Sequence, residues 1–238
     1  MRLATWNLNR CRTGSARANR LREGINQVNA DVWVLTETYA DFSPGPDFCL
    51  LAHSADAPDR NAKQGECWVA IWSRLDGDSV QLTADLERVA AASIDNCIVA
   101  GTVLPWLSDR RDPKLAGADL FQAKLSEQAS DWRKLRVESA LCVAGDFNQD
   151  LLSAGHYYGS KNGRAALREA LSLCDLDCLT SGEDDPLTAE VGRANIDHIC
   201  VHKMLPLSSP RSAAWPPIGE LKELTDHYCI YTEIEEAH

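Results

Sequence analysis

Carboxylate, amide and imidazole side chains lie in or beside five apolar segments of this sequence, at points where a buried strand would favour apolar residues. They are Asn7, Glu37, Asp146 with Asn148, Asp197, and Asp226 with His227. A single Asp after a strand is usually a turn residue or a helix cap. Five such segments together supply oxygen ligands for a hard cation such as Mg²⁺ and an imidazole for proton transfer. The residue types therefore indicate metal-assisted acid–base chemistry.

The elements that must position these groups alternate along the whole chain. Apolar, β-branched runs predict strands at Leu3–Leu8, Asp31–Thr36, Phe48–Ala52, Cys67–Trp72, Arg88–Ser93, Cys97–Leu104, Ala140–Gly145, Ile196–His202 and His227–Ile234. Helical patterns predict helices at Ala16–Asn29, Ala118–Arg136 and Arg164–Cys174. The alternation predicts an α/β fold. Most of the polar groups come at strand ends, which is where α/β proteins bind ligands.

The connecting segments give no sign of a domain boundary. Asp109–Ala116 is predicted to be a charged loop and Ser208–Gly219 a proline-rich loop, and neither is long enough for a linker between domains. The sequence shows no internal repeat. We therefore expect residues 1–238 to form a single domain.

Composition and charge narrow the class of protein. The chain has 238 residues, of which 45% are hydrophobic and 25% charged, as in ordinary soluble globular proteins. No apolar run approaches the roughly 20 residues that a membrane helix needs, and the N-terminus lacks the pattern of a secretory signal. We expect a cytoplasmic protein that does not associate with membranes. The net charge of −11 argues against long duplex DNA as the main substrate, because phosphate binding usually needs a basic face.

The nine cysteines do not form a disulfide or zinc pattern. Their number is odd, there is no CxxC pair, and most of them lie inside or beside apolar runs. The spacing of Cys174 and Cys178, at the end of a helical stretch, is a poor zinc signature. We expect buried free thiols that act as small apolar residues.

The five segments resemble the signature motifs of a known family. In chain order they are Thr5-Trp6-Asn7, Leu35-Thr36-Glu37-Thr38, Gly145-Asp146-Phe147-Asn148, Ile196-Asp197-His198-Ile199 and Thr225-Asp226-His227-Tyr228. Together they resemble the endonuclease/exonuclease/phosphatase superfamily, which has the deoxyribonuclease I-like fold. Gly65–Arg74 is similar to a further strand of that family. The resemblance implies a four-layer α/β sandwich, with two mixed β-sheets packed face to face and helices outside, and a phosphoester hydrolase.

The resemblance also implies a metal-binding set of residues. Glu37 would be the principal ligand of Mg²⁺, with Mn²⁺ as the alternative ion. Asp226 would complete the metal shell. Asn7 would orient Glu37 or lie near the metal. These assignments leave most of the coordination positions to water and to the oxygens of a phosphate-ester substrate.

Four further residues would carry catalysis by the same resemblance. Asp146 would position or deprotonate the attacking water, and Asn148 would donate a hydrogen bond to a phosphate oxygen. His227 would bind the phosphoryl oxygen or act as a general base. Asp197 would hold the tautomer of that histidine and favour its protonated form.

The sequence departs from the family pattern at one position. Many members carry a His or Tyr on the central strand, where it binds phosphate or protonates the leaving group. In this chain the corresponding residue is Val103, which cannot transfer a proton. Leaving-group protonation must then come from elsewhere, or the leaving group must be a good one. Nearby Trp106 could offer a flat surface for a base or sugar, although core packing is an alternative role.

Three other residues are candidates for substrate binding because of their place in the sequence. His156 and Tyr158 follow the Gly145–Asn148 motif and are expected near the mouth of the site. Arg164, with Lys161 and Arg168, could form a small basic patch that faces phosphate, although a solvated helix face is an alternative.

Three functions stay open at this point. A nuclease or DNA-repair-like phosphodiesterase is favoured by the family's many members that act on nucleic acid. A phosphatase or phosphodiesterase for a small metabolite or lipid head group is favoured by the acidic charge. A catalytically silent phosphate-binding protein has only Val103 in its support.

Overall fold

The computed structural model describes residues 1–56, 62–110, 112, 114–152, 155, 157–188, 193–203, 205, 212–215 and 224–234. Its strands are β1 (Arg2–Asn7), β2 (Val32–Tyr39), β3 (Cys49–His53), β4 (Glu66–Ser73), β5 (Gly77–Ser79), β6 (Val89–Ile94), β7 (Cys97–Val103), β8 (Ala140–Asp146), β9 (Leu176–Cys178), β10 (Asp197–His202), β11 (Ser212–Trp215) and β12 (Cys229–Glu233). Its helices are α1 (Ala16–Val28), α2 (Gly117–Glu138) and α3 (Lys161–Leu173). Every strand and helix that the sequence predicts is present, with bounds that differ by a few residues.

The strands form two six-stranded sheets. The first has the order β11-β12-β1-β2-β4-β3, and the second has the order β5-β6-β7-β8-β10-β9. Both sheets are mixed, because β1 is parallel to β2 and antiparallel to β12, while β8 is parallel to β7 and antiparallel to β10. The predicted four-layer α/β sandwich is confirmed.

The main core lies between the two sheets. Val34 and Val69 of the first sheet pack there with Val99 and Cys142 of the second. The sheets approach so closely at Gly101 that a Cβ atom at this position would lie 2.4 Å from Cγ1 of Val69. Any larger residue would therefore force the sheets apart, which explains a glycine in the middle of β7.

The helices cover the outer faces of the sheets. On α1, Leu21 and Ile25 pack with Trp33 of the first sheet. The outer face of the second sheet is covered by apolar residues of both α2 and α3, including Trp132 and Leu167. Side-chain caps fix the start of two helices: Ser15 accepts a hydrogen bond at the start of α1, and Ser160 does so at the start of α3.

Three short strands were not predicted from the sequence, namely β5, β9 and β11. The prediction of a proline-rich loop was wrong for Ser212–Trp215, which form β11; the rest of the predicted loop lies outside the described residues. The Trp215 ring packs edge-on against Trp6, with centroids 5.3 Å apart, and its indole N–H donates to Gln27 at 3.0 Å. These tertiary contacts hold a strand that is too short to show a periodic pattern.

Within the described part of the chain, no helix combines the length and apolar character that crossing a membrane would require.

Candidate active site

The predicted site residues meet at one edge of the sandwich. The side chain of Asn7, the last residue of β1, reaches both sheets. Its amide nitrogen donates to Oε1 of Glu37 on β2 and to Oδ2 of Asp146 at the end of β8, each at 3.1 Å. Because β8 and β10 are antiparallel, the end of β8 lies beside the start of β10, and Asp146 pairs in register with Asp197. The topology therefore brings together carboxylates that are far apart in sequence.

Glu37 has an unusual backbone conformation. Its φ of 43° lies in the left-handed region, which is uncommon for a residue other than glycine. The ladder between β2 and β4 is interrupted here, between the pairs Thr36–Val69 and Thr38–Cys67. Strained conformations of this kind are concentrated at functional sites.

Arg10 was not predicted from the sequence as part of the site. Its Nε atom lies 3.4 Å from Oε2 of Glu37 and 3.1 Å from Oε1 of Glu66. Its guanidinium group lies over the ring of Trp68, 5.1 Å from the centroid. Glu66 is buried, so Arg10 balances a buried carboxylate and also holds one oxygen of Glu37. The signal that could have revealed it is its position three residues after Asn7.

The second missed residue is Asn9, which holds Asp226. The side-chain nitrogen of Asn9 donates to Oδ1 of Asp226 at 3.1 Å. The hydroxyl of the adjacent Thr225 donates to the backbone oxygen of Asn7 at 2.9 Å. These bonds join the segment before β12 to the loop after β1. Asp226 itself is exposed, so its carboxylate is available to a ligand.

His227 and Asp197 form a close pair across the two sheets. Nδ1 of His227 lies 2.6 Å from Oδ2 of Asp197. Burial lowers the pKa of His227, but the charges of Asp197 and Asp146 outweigh burial and raise the pKa to about 10. His227 is therefore an imidazolium at neutral pH. The other oxygen of Asp197 is buried without a hydrogen-bond partner among the described residues.

Asp146 lies in an environment that raises the pKa of its carboxyl group. Burial and the charge of Asp197 raise its pKa to about 7, although the charge of His227 opposes this change. Its Oδ1 atom accepts the backbone N–H of Asn148 at 2.9 Å. The side-chain nitrogen of Asn148 donates to the backbone oxygen of Leu104 at 2.9 Å. Asp146 can therefore exchange a proton near neutral pH, and its neighbours hold it in place.

One group of side chains offers ligand atoms close enough together to share a metal ion. Asp146, Asp197 and His227 each offer one ligand atom, and these atoms lie within 4.8 Å of one another. The protonated His227, however, binds Asp197 and would repel a cation. Asp146 is the member of this group that also connects, through Asn7, to the more exposed Glu37.

The loop after β8 forms one wall of the site. Oδ2 of Asp150 accepts the backbone N–H groups of Tyr157 and Tyr158, each at 2.9 Å. Arg164 binds Asp150 at 2.9 Å and the backbone oxygen of Gly155 at 2.7 Å. The guanidinium group of Arg164 is buried and holds this loop together. His156, which the sequence predicts to bind substrate, lies outside the described residues.

Tyr158 is exposed and lies near the acidic groups. Burial raises the pKa of its phenol, and the charges of Asp146, Asp226 and Glu37 raise the pKa further. The hydroxyl therefore lies within electrostatic reach of all three carboxylates and stays protonated at neutral pH.

Val103 is the last residue of β7, and Trp106 follows three residues later. Val103 is fully buried in the core between the sheets and pairs in register with Asp146. The backbone N–H of Val103 donates to the backbone oxygen of Arg88. Trp106 is partly buried, rests against the same core and lies 6.0 Å from the ring of Trp68. Trp106 thus contributes to packing and also keeps part of its ring accessible.

A four-layer α/β sandwich with acidic, amide and imidazole groups gathered at one end of its sheets defines a phosphoester hydrolase. The sequence profile of the Endonuclease/Exonuclease/phosphatase family matches residues 4–227. The chain belongs to this family and is an enzyme that hydrolyses phosphoester bonds. No curated protein sequence matches it.

Solved structures have the same fold. One is a 3'-5' exonuclease, NExo, from Neisseria meningitidis, with 18% identity, a TM-score of 0.69, and coverage of 99% of this chain and 100% of that one. A structure of the 3' phosphatase NExo from Neisseria bound to a product DNA hairpin has 17% identity, a TM-score of 0.71 and 99% coverage of both chains. An AP endonuclease from Archaeoglobus fulgidus has 16% identity, a TM-score of 0.68 and 99% coverage of both.

Proposed function

We propose that this protein is a Mg²⁺-dependent nuclease that hydrolyses a phosphodiester bond of a nucleic acid. The observation that carries the proposal is the meeting of two kinds of group at one edge of the sandwich. Glu37 and Asp226 offer accessible oxygen ligands. Asp146 offers a proton acceptor, and the Asp197–His227 pair offers a fixed positive charge. Metal-assisted hydrolysis of a phosphoester can use each of these functions.

The acidic residues fit a hard divalent cation. Such ions bind carboxylate and amide oxygens and keep several positions for water and phosphate. The charges of Asp146, Asp226 and Glu37 all raise the pKa of the Tyr158 phenol, so these carboxylates lie within electrostatic range of one side chain. We propose that Glu37 and Asp226 hold Mg²⁺, or Mn²⁺ in its place, with Asn7 beside them. When bound, the ion would neutralise charge that develops on the phosphate oxygens.

Asp146 is the proposed acceptor of the proton from the attacking water. A pKa of about 7 is close to the optimum for proton transfer at neutral pH. Asn7 and the backbone of Asn148 fix the two oxygens of this carboxylate. The side-chain nitrogen of Asn148 uses one of its two donors on Leu104, which leaves the second donor for a phosphate oxygen.

His227 is the proposed binding group for the phosphoryl oxygen. With a pKa of about 10 it is protonated before substrate binds, so it can donate a charged hydrogen bond and stabilise negative charge. Asp197 keeps this ring in place by accepting from its Nδ1 atom. This arrangement favours phosphate binding over the alternative role of general base.

The proton for the leaving group must come from another residue, because the side chain of Val103 has no acidic proton. We propose that Tyr158 is this source, since its phenol keeps its proton at neutral pH and is close to the charges of the site. Asp150 and Arg164 hold the loop that carries it. In this proposal Arg164 acts indirectly, by shaping the wall of the site.

Nucleic acid is the favoured substrate for two reasons. The solved structures that share the fold include a 3'-5' exonuclease, a 3' phosphatase bound to product DNA and an AP endonuclease. Trp106 also presents part of its ring beside Trp68, and stacking of a base on an aromatic ring contributes about 1–3 kcal/mol. The net charge of −11 favours a second candidate, a phosphatase for small phosphorylated metabolites.

The test is EDTA-sensitive hydrolysis across a panel of substrates. The panel holds single-stranded DNA, duplex DNA with and without an abasic site, RNA, and phosphorylated metabolites. Glu37→Ala is purified in parallel, together with Glu23→Ala, which removes an exposed carboxylate from α1. We expect Mg²⁺-dependent cleavage of an oligonucleotide by the wild type and by Glu23→Ala, and none by Glu37→Ala.

The other outcomes are equally informative. Cleavage confined to small phosphates would replace the nuclease by the metabolite phosphatase. Wild-type activity in Glu37→Ala would show that the proposed metal ligand is wrong. The single-domain organisation of residues 1–238 and the cytoplasmic location stay predictions of the sequence.

A further inference from the structure

A cluster of cysteine, histidine and threonine side chains lies on and beside β9 and β10, at the edge of the second sheet. Cys178 on β9 pairs in register with Cys200 on β10. The hydroxyl of Thr180 lies 3.6 Å from Sγ of Cys178 and 3.2 Å from Nδ1 of His198. Of the chain's nine free cysteines, this pair stands directly opposed on adjacent antiparallel strands.

His198 has hydrogen-bond partners that can accommodate its protonated form. It is fully buried. Its Nε2 atom lies 3.1 Å from the backbone oxygen of Gln149, and its Nδ1 atom lies 3.2 Å from the backbone oxygen of Thr180. A carbonyl oxygen can only accept a hydrogen bond, so Nε2 carries a proton. Nδ1 can donate to the backbone oxygen of Thr180 or accept from the Thr180 hydroxyl, and the first arrangement makes the ring an imidazolium. A buried imidazolium needs a nearby anion.

Cys178 is the group that can supply this anion. Burial raises the pKa of its thiol, but the hydrogen bond from Cys200 and the positive charge of His198 outweigh burial, so the pKa lies well below the usual range. Burial lowers the pKa of His198, whereas the charge of Cys178 and a smaller effect of Asp185 raise it to about 9. The two groups therefore stabilise each other as a thiolate and an imidazolium.

The backbone geometry suits a bond between Cys178 and Cys200. The N–H of Leu179 donates to the backbone oxygen of Ile199 at 2.9 Å, so these two residues form a hydrogen-bonded pair. The adjacent Cys178–Cys200 pair is then of the non-hydrogen-bonded type, with Cα atoms about 4.5 Å apart. Disulfides span Cα distances of about 4.4–6.8 Å.

Part of Cys178 is also exposed to solvent. Cys178 is partly buried and lines a surface groove of about 330 Å³ together with Ser181, Arg168 and Lys203. A small neutral oxidant such as a hydroperoxide fits this groove. Arg168 contributes positive charge to this groove, whereas Lys203 is paired with Asp177, which also lines it.

We propose that Cys178 is a site of reversible oxidation by hydroperoxides, with Cys200 as the resolving thiol. In the first step the thiolate attacks the terminal oxygen of the peroxide. A sulfur–oxygen bond forms, the oxygen–oxygen bond breaks, and the leaving alkoxide takes a proton from solvent. The sulfur is oxidised by two electrons to a sulfenic acid, and the peroxide is reduced.

In the second step the sulfur of Cys200 attacks the sulfenic sulfur. A disulfide forms and the sulfur–oxygen bond breaks. The hydroxide that leaves takes the proton of Cys200 and becomes water. A thiol reductant would restore both cysteines.

The experiment is peptide mapping of the full chain after treatment with hydrogen peroxide at pH 6.5. We expect the Cys178–Cys200 disulfide to form first, with Cys178 oxidised on the order of tenfold faster than the exposed Cys49, because reaction requires the thiolate. Cys49→Ser is the matched control and should leave the disulfide unchanged. Cys200→Ser should instead accumulate a sulfenic acid at Cys178, which dimedone traps.

Either of two results would overturn the proposal. One is oxidation of Cys49 at the rate of Cys178 or faster. The other is the absence of a Cys178–Cys200 peptide in the oxidised wild type. Both are measured on the unmodified chain, so they decide the matter even if Cys200→Ser does not fold. Neither depends on the substrate of the active site.

Discussion

The two sheets contribute carboxylates of different character to the same site. On the first sheet, the Glu37 side chain is 21% exposed and contacts Arg10 and Asn7, and Asp226 is exposed. On the second sheet, Asp146 is buried and the Asp197 side chain is 4% exposed. Accessible carboxylates suit a hydrated cation, whereas buried ones shift their own pKa or that of a neighbour.

This difference separates two tasks that a phosphoesterase must perform. The first sheet presents ligands to an ion that arrives with water. The second sheet sets the protonation of His227 and Asp146 before any ligand is present. His227 joins the two tasks, because it precedes β12 of the first sheet and is bound by Asp197 of the second. Changes on the two sheets should therefore respond differently to the metal concentration.

After the complete loss of activity expected for Glu37→Ala, the largest effect is expected for His227→Ala. Loss of the fixed positive charge should lower kcat on the preferred substrate by about 10³-fold, as for other groups that stabilise transition-state charge. The loss should persist at saturating Mg²⁺, because the second sheet acts independently of the ion. Steady-state kinetics over a Mg²⁺ titration measures this, with the exposed His53→Ala as the control. Recovery of the rate at high Mg²⁺ would contradict the assignment of metal binding to the first sheet and of protonation to the second.

A smaller effect is expected for Tyr158→Phe. If the phenol protonates the leaving group, its removal should cost about 10²-fold on a substrate with a poor leaving group. A p-nitrophenyl ester needs no such proton, and its rate should be nearly unchanged. Tyr157→Phe, on the same exposed loop, is the matched control. Equal losses on both esters would assign Tyr158 to binding and leave the proton donor unknown.

Much of the fold could be predicted from the sequence because the long strands and helices carry periodic patterns. The apolar runs that become β2, β4 and β8 are buried along almost their whole length, which explains their continuous apolar character. By contrast, β9 and β11 have only three and four residues. Their pairing depends on neighbours that are distant in sequence, and no local pattern reports such contacts.

The site was predicted unevenly for a related reason. Motif resemblance identified Glu37 and Asp146, and in the structure both accept a hydrogen bond from the side chain of Asn7. Asn9 and Arg10 were missed because their role appears only once Asp226 and Glu66 are placed beside them. The protonation of His227 likewise depends on burial and on charges from the other sheet, which the sequence alone does not reveal.

A third prediction concerns the loop after β8, which contains Asp150, and it is measured as the stability of the protein. Asp150→Asn should lower the free energy of unfolding at pH 7 by about 2 kcal/mol, because charged hydrogen bonds to the backbone and to buried Arg164 are weakened. Burial raises the pKa of Asp150, but the backbone N–H groups of Tyr158, Tyr157 and Leu152 outweigh burial and lower it.

The pH dependence of this effect has a definite sign. A carboxyl with a lowered folded-state pKa contributes stability above its unfolded pKa of about 3.9 and loses it as pH falls through the folded value. The difference between wild type and Asp150→Asn should therefore be constant near neutral pH and shrink below about pH 4. Urea unfolding at several pH values measures it, and a difference that grows on acidification would contradict the assignment.

The smallest effect is expected for Val103→His, which restores the residue type of the family pattern. Val103 is fully buried between the sheets, so an imidazole there must lose its hydration and would be held in its neutral form. We expect a less stable protein whose rate on a poor leaving group stays within about threefold of wild type, a change below 1 kcal/mol in the barrier. The same pair of esters measures this. A large gain in rate on the poor leaving group would mean that the wild-type site lacks a proton donor and that Tyr158 does not fill this role.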